Sequence, residues 1–260
     1  MSVTESIPLL DLAHELHRAR LDRTELATIT GRHAGFDVDD AYAVQASGIE
    51  LRVEDGETIV GGKLGFTSLA MQRAMGVDRP NHGWLTDVML VHERVVTMDS
   101  LIHPKVEPEI AFLLATGLDA DATAADVLVA TAAVVPCLEV VDSRFLDFRF
   151  ELEDNIADNS SAALVVLGDA AVPPTGFDLR TCGVVLTVNG ELANIAAGAA
   201  ALDHPAEAVA WMARAVAAGR GLGEGDIVIS GGLTSPVDLR QGATVRVDID
   251  HIGSASFRTV

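Results

Sequence analysis

Three acidic residues stand where the surrounding pattern predicts a buried β-strand. In LIHPKVEPEIAF, residues 101–112, Lys105, Glu107 and Glu109 occupy alternate positions between apolar or conformationally stiff residues. On a strand, residues two apart share a face, with their Cβ atoms about 7 Å apart. Glu139 lies in VVPCLEVV, where every neighbour predicts burial, and an isolated buried glutamate needs a partner. Unpaired carboxylates are costly in a core, and a divalent cation is a common way to satisfy them. Three carboxylates without a histidine, cysteine-pair or phosphate motif suit a hard, oxygen-preferring ion, Mg²⁺ or Mn²⁺. The competing reading is a solvated strand face whose charges pair with Lys105.

The basic residues are unevenly divided. Of 18 Lys and Arg, 16 are Arg, and only Lys63 and Lys105 are Lys. A compact ammonium serves in a tight site as a point charge or proton donor, which the broad guanidinium does not. Lys63 sits in GGKLG just before a helix start capped by Ser68, a setting that permits close approach of a ligand to backbone. Further polar clusters follow Glu139: Asp142, Ser143, Arg144, Asp147 and Arg149 in VVDSRFLDFRF, then Asp158, Asn159, Ser160 and Ser161 in DNSS. A DNSS run is more often a turn than a ligand loop. GRGLGEGD has dinucleotide-fingerprint spacing but follows a helix instead of a strand, which excludes a Rossmann cofactor. ISGGLTSP, residues 229–236, is read as a strand-ending turn able to present backbone amides. His14 and His17 share helical spacing and are expected to face solvent, and no GxSxG elbow or P-loop occurs.

These side chains must be positioned by a mixed set of elements. LLDLAHELHRARL and DVDDAYAVQASGIELRVEDG predict two helices, and the first 57 residues are read as a helical lobe before a catalytic domain over 58–260, the two forming one integrated unit. TIVGGKLGF predicts a strand broken by glycines. Further strands are expected at Val88 to Val91, Val106 to Leu114, Val134 to Val141, Ala163 to Leu167 and Val184 to Val188, the last turning at Asn189-Gly190 into ELANIAAG. DATAADVLVATAAV is expected to form one helix and HPAEAVAWMARAVAAG another, with strands in DIVISGG, TVRVDID and the C-terminus. Without regular βαβ alternation, the class is α+β with a twisted antiparallel or mixed sheet.

Composition narrows the partners. At 260 residues, 49% of them hydrophobic, the chain can bury a substantial core. A formal charge of −20 argues against nucleic acid and repels small anions at long range, so an acidic substrate must be captured locally. No apolar run is long enough to span a bilayer and the N-terminus lacks a secretory pattern, so the cytoplasm is the expected location. Cys137 and Cys182 lie far apart in apolar surroundings and are expected to be core residues.

Taken together, GGKLGFTSLAMQRAMGVDRPNHGWLTDVML, LIHPKVEPEIAF, PCLEVVDSRFLDFRFELEDNIADNSSA, AALDHPAEAVAWMARA and GDIVISGGLTSPV resemble the hydratase/decarboxylase branch of the fumarylacetoacetate hydrolase superfamily, in order from about residue 58 to the C-terminus. The resemblance implies a fumarylacetoacetate-hydrolase-like mixed β-roll with an N-terminal helical lobe. It implies a Mg²⁺ or Mn²⁺ site at Glu107, Glu109 and Glu139, and Lys63 as the active-site lysine with Asp158 and Ser161 as catalytic companions. The substrate expected is a small 2-oxo mono- or dicarboxylic acid, with Arg73, Arg144 and Arg149 as unranked candidates for its distal carboxylate. The implied reaction is decarboxylation of 2-oxohex-3-enedioate or hydration of 2-hydroxypenta-2,4-dienoate, with the aromatic after the SR pair in VVDSRFLDFRF favouring the first. Pro108 departs from the alanine common between the two glutamates. A homo-oligomer, and a complex between hydratase and decarboxylase, are further expectations, and a metal-dependent binder of 2-oxo acids without turnover is the reading from another class.

Overall fold

The computed structural model describes residues 7–260, without the side chains of Ala74 and Met75. Three helices open the chain. Helix α1 (Leu9–Asp22) turns Leu12, Ala13, Leu16 and Ala19 inward, and α2 (Ile29–Arg32) is a single turn. Helix α3 (Val38–Glu54) starts where the Asp37 carboxylate accepts from the Asp40 amide. His14 is exposed as expected, whereas His17 is partly buried, its Nε2 3.0 Å from the Asp55 carboxylate.

The sheet region begins with β1 (Ile59–Gly65), which carries Lys63, followed by α4 (Leu69–Met75) and β2 (Asn81–Thr86). The strand expected at Val88 to Val91 is instead a 3₁₀ turn, Asp87–Met89, after which Leu90 makes one bridge to Val165. The Asp87 carboxylate causes the turn by accepting from the amides of Thr58 and Val88. The real strand lies just before it, in NHGWLT, where Gly83 and the flanking Pro80 hide the alternation.

Strand β3 (Val95–Val96) is short, and β4 (Lys105–Leu114) is the long strand of the acidic motif. Helix α5 (Ala124–Ala130), with a Thr123/Asp126 capping box, is shorter than expected because Thr131 already opens β5 (Thr131–Val141). The Thr131 hydroxyl donates back to the Val127 carbonyl while its backbone pairs with Leu114, so β4 recruits the β-branched end of the helical pattern. Then come α6 (Leu152–Ala157), β6 (Ala162–Leu167), the hairpin β7 (Gly183–Val188) and β8 (Glu191–Ala197) through Asn189-Gly190, and α7 (Pro205–Val216). Strands β9 (Ile227–Ile229), β10 (Val237–Asp238), β11 (Thr244–Ile249) and β12 (Gly253–Thr259) complete the chain.

These strands form two mixed sheets. The larger runs β2-β1-β9-β4-β5-β6 with β10 beside β4, and the smaller runs β3-β12-β11-β7-β8. The β1/β9 and β12/β3 pairs are parallel, the others antiparallel. One face of β4 and β5, with Val106, Ile110, Phe112, Leu138 and Val140, packs in a common core with Val245, Val247 and Phe257 of the smaller sheet and Val209 and Met212 of α7. Both cysteines are free and buried. Among the described residues, no helix is long and apolar enough to cross a membrane.

The helical lobe is completed from far along the chain. Leu12, Leu16, Ile29, Phe36 and Val44 cluster with Phe145 and Ile156, and Gln45 donates to the carbonyls of both His82 and Ile156. Leu26 and the 144–146 segment exchange backbone hydrogen bonds, and the Asp154 carboxylate accepts from Thr30. Phe145 is fully buried at this joint, so Phe145→Ala is expected to lower the urea-unfolding free energy by about 3–5 kcal/mol. Leu192→Ala, on the exposed β8, should change it by less than about 0.5 kcal/mol.

Candidate metal centre

The other face of β4 grades from apolar to charged along its length. Leu113 and Ala111 sit with Val135, Cys137 and Ile229 in a small apolar cluster, then come Glu109, Glu107 and Lys105 in turn. Glu139 of β5 is the direct cross-strand partner of Glu107, so it shares their face. The three glutamates offer oxygens within 4.8 Å of one another. Lys63 reaches the same face because it and Ala111 both pair with Ile229 of β9, the strand that joins β1 to β4. Strand β9 then stops, and the gap beyond Ile229 is where the site lies.

Burial makes this cluster unusual. Glu109 and Glu139 are 0% exposed, Lys63 is 2% exposed, and Glu107 is half-buried. The Lys63 ammonium lies 3.2 Å from Glu139 Oε2 and donates to the Ser160 carbonyl at 2.9 Å and to Ser160 Oγ at 3.2 Å. Glu109 Oε2 accepts from the Gly231 amide at 2.7 Å, so the glycine turn of ISGGLTSP offers its amide to the protein's own carboxylate. A Cβ on Gly232 would lie 2.5 Å from Glu107 Oε1, so any larger residue there would displace the Glu107 carboxylate.

One ammonium and one amide do not satisfy three carboxylates. Glu109 Oε1 and Glu139 Oε1 are buried without a hydrogen-bond donor, and Glu139 Oε2 has only the Lys63 ammonium 3.2 Å away. Desolvation, reinforced by the charge of Glu139, pushes Glu107 up to about 7 and Glu109 well above the ordinary carboxylate range, with Lys63 opposing both. Desolvation raises Glu139 as well, opposed by Lys63. Orphaned buried oxygens, one shared face and an all-carboxylate donor set fit a divalent cation bound by Glu107, Glu109 and Glu139.

The cluster opens into a cavity of about 230 Å³. Its lining includes Lys63, Glu107, Thr67, Ser160, Ser161 and Asn155 on the polar side, and Phe148, Phe150, Met71 and Val141 on the apolar side. The DNSS run is both turn and lining. Asn159, Ser160 and Ser161 all adopt left-handed φ of 52–55°, a conformation costing about 1–3 kcal/mol per residue. Side chains hold it there: Asn159 bridges the Trp84 amide and carbonyl, Ser160 donates to Asn81, and Asn155 donates to Ser161.

The other expected site residues lie elsewhere. Asp158 turns away from the cavity to Arg144, whose side chain and amide both donate to its carboxylate and whose guanidinium also donates to its carbonyl. This buried pair lines a separate small cleft against the helical lobe, so neither residue faces the glutamates. Arg73 and Arg149 are exposed and do not line the cavity. Sequence reasoning missed Thr67, whose buried hydroxyl has no partner, and the Asn81–Asn155 pair; only the polar residues in the apolar PNHGWL and NIADN hinted at the pair. It also treated Lys105 as a supporting charge, although Lys105 lines the cavity.

Because the carboxylates are raised, their contribution to the stability of the metal-free protein falls as pH rises. Between about 4.5 and 7 the unfolded state has already released the Glu107 proton that the folded state retains, so the Glu107 contribution to the slope of stability with pH is negative there. Mg²⁺ competes with those protons, so thermal melting should show a larger Mg²⁺-induced rise at pH 8 than at pH 5.5. Glu109→Gln should abolish most of that rise; an equal rise in wild type and variant would remove Glu109 from the site.

The fumarylacetoacetate (FAA) hydrolase C-terminal family model matches residues 80–260. The chain is 44% identical over 206 residues to a 2-hydroxypent-2,4-dienoate hydratase of Pseudomonas putida, covering 78% of this chain and 93% of that one. It is 36% identical to a 4-oxalocrotonate decarboxylase of Pseudomonas sp. (strain CF600), covering 97% of each. The solved 4-oxalocrotonate decarboxylase of Pseudomonas putida G7, complexed with magnesium and adipate, superposes with a TM-score of 0.91 at 34% identity, covering 97% of each chain. The chain therefore belongs to the fumarylacetoacetate hydrolase family, in its hydratase/decarboxylase branch.

Proposed function

We propose that this protein is a Mg²⁺-dependent decarboxylase that converts 2-oxohex-3-enedioate to 2-hydroxypenta-2,4-dienoate and CO₂. The observation that carries the reading is the convergence of three donor-poor glutamates and one buried lysine on a cavity whose other side is apolar. The likeness over the whole length to a decarboxylase complexed with magnesium and a six-carbon diacid supports it.

A bound divalent cation would polarise the adjacent carboxylate and carbonyl oxygens of a 2-oxo acid as a Lewis acid. The chain's own residues account for the remaining steps. As the C5–C6 bond breaks, its electron pair moves through the C3–C4 double bond to the C2 oxygen, and the C6 carboxylate leaves as CO₂. Lys63 places a positive charge beside that oxygen, and its Nζ–H can supply the proton that completes the enol. Ser160, itself fixed by Asn81, holds Nζ in place through its carbonyl and hydroxyl. Phe148 and Phe150 present apolar surface to the departing group and keep water from the alkene.

A hydratase of 2-hydroxypenta-2,4-dienoate is the second reading, favoured by the 44% identical relative. It would share the same dienolate, with Ser161 and Asn155 as the polar groups available to hold a water at the distal carbon.

Incubating the protein with Mg²⁺ and 2-oxohex-3-enedioate should release one CO₂ per substrate consumed, followed by mass spectrometry. Absence of CO₂, with hydration of supplied 2-hydroxypenta-2,4-dienoate, would replace the first reading by the second. Lys63→Met should lower kcat by about 10²–10⁴-fold while retaining the Mg²⁺-induced rise in melting temperature.

A further inference from the structure

Lys105 is a cation in the cavity wall that the reaction above does not use. It stands one side-chain step beyond Glu107 on the same face of β4, at the cavity rim. Its Nζ donates to Asp238 Oδ1 at 2.8 Å, across the register pair that β10 makes with β4. The ring of Phe148 lies 5.0 Å from the same nitrogen, so the ammonium is held between a carboxylate and an aromatic face. Both lysines of the chain line this cavity, whereas none of its arginines does among the described residues.

We propose that Lys105 determines substrate specificity by binding the distal carboxylate of a dicarboxylic 2-oxo acid, whose 2-oxo end is held at the glutamates and Lys63. The inference rests on the 2-oxo acid reading above and adds which end of the substrate is selected, and by what. Two residues of strand set the Cα atoms of Lys105 and Glu107 about 6.8 Å apart, so their side chains enter the cavity wall at separate points of one face. An ammonium has three donors, and Asp238 takes one of them. The Asp238 side chain is 72% exposed against 27% for Lys105, so solvent screens the tether more than the cation it holds. A chain of charge −20 repels a dianion at long range, and Lys63 is already committed to Glu139 and Ser160, so the second carboxylate needs its own local cation.

This grip belongs to the bound substrate and is lost as the carboxylate becomes CO₂. Lys105 is therefore a recognition residue whose removal should raise KM for the diacid more than it lowers kcat.

Calorimetry with Mg²⁺ and two unreactive probes, 2-oxoadipate and 2-oxohexanoate, tests this directly. Wild type should bind the diacid about ten- to a hundredfold more tightly than the monoacid. Lys105→Met should erase that preference while leaving monoacid affinity within about twofold, and Lys105→Arg should restore part of it. Asp238→Ala breaks the ion pair but leaves the cation, so it should keep the preference; a merely structural bridge would make Asp238→Ala and Lys105→Met behave alike. Equal binding of the two probes by wild type, or equal weakening of both by Lys105→Met, overturns the Lys105 assignment alone. Failure of wild type to bind either probe with Mg²⁺ overturns that assignment together with the 2-oxo acid reading.

Discussion

Glu107, Glu109 and Glu139 share one sheet face with one buried ammonium, that of Lys63, and this excess of buried carboxylate is the constraint on which the rest of the site depends. Within the fold, the Lys63 contact and the Gly231 amide offset only part of it. A divalent cation would supply what is missing, and the same cation would give the cluster its chemistry. The instability of the empty arrangement and the capacity of the filled one have a common origin in desolvation.

Much of the surrounding architecture exists to keep Lys63 and the glutamates together. Strand β9 sets the spacing between β1 and β4, and its early end leaves room for the cavity. The helical lobe acts through Gln45, which joins β2 to α6, and through Phe145, which anchors the segment carrying Phe148 and Phe150. The strained 159–161 run is held by residues of β2 and α6, so the contact between Ser160 and Lys63 depends on elements from three parts of the sequence. The Arg144–Asp158 pair belongs to this support, buried between the lobe and the loop and away from the reacting groups.

The parts of this arrangement that local pattern encodes were legible in the sequence. Alternation in LIHPKVEPEIAF gives the face of β4, the apolar setting of Glu139 gives its burial, and Asn189-Gly190 gives the β7–β8 turn. Other features depend on pairing between distant segments. Strand β2 was hidden because its Gly83 and its contacts with Asn159 serve a neighbour 75 residues away, and β5 begins at Thr131 only because β4 is there to pair with it. Side-chain direction was the least legible property. Arg144 and Asp158 belong to a motif rich in functional groups, but which of those groups face the cavity is set by the lobe that packs behind them.

The short link made by β9 also makes the site depend on a distant part of the chain. The β4–β5 hairpin that gathers the glutamates closes over a modest stretch of chain, whereas β1 comes alongside only when residues 227–229 have been added between them. The lysine therefore joins the carboxylates only through a strand that lies nearly ninety residues beyond Glu139 in the chain. The non-local step is the slow kind in folding. A chain ending before Ile227 lacks the strand that brings β1 and β4 into register.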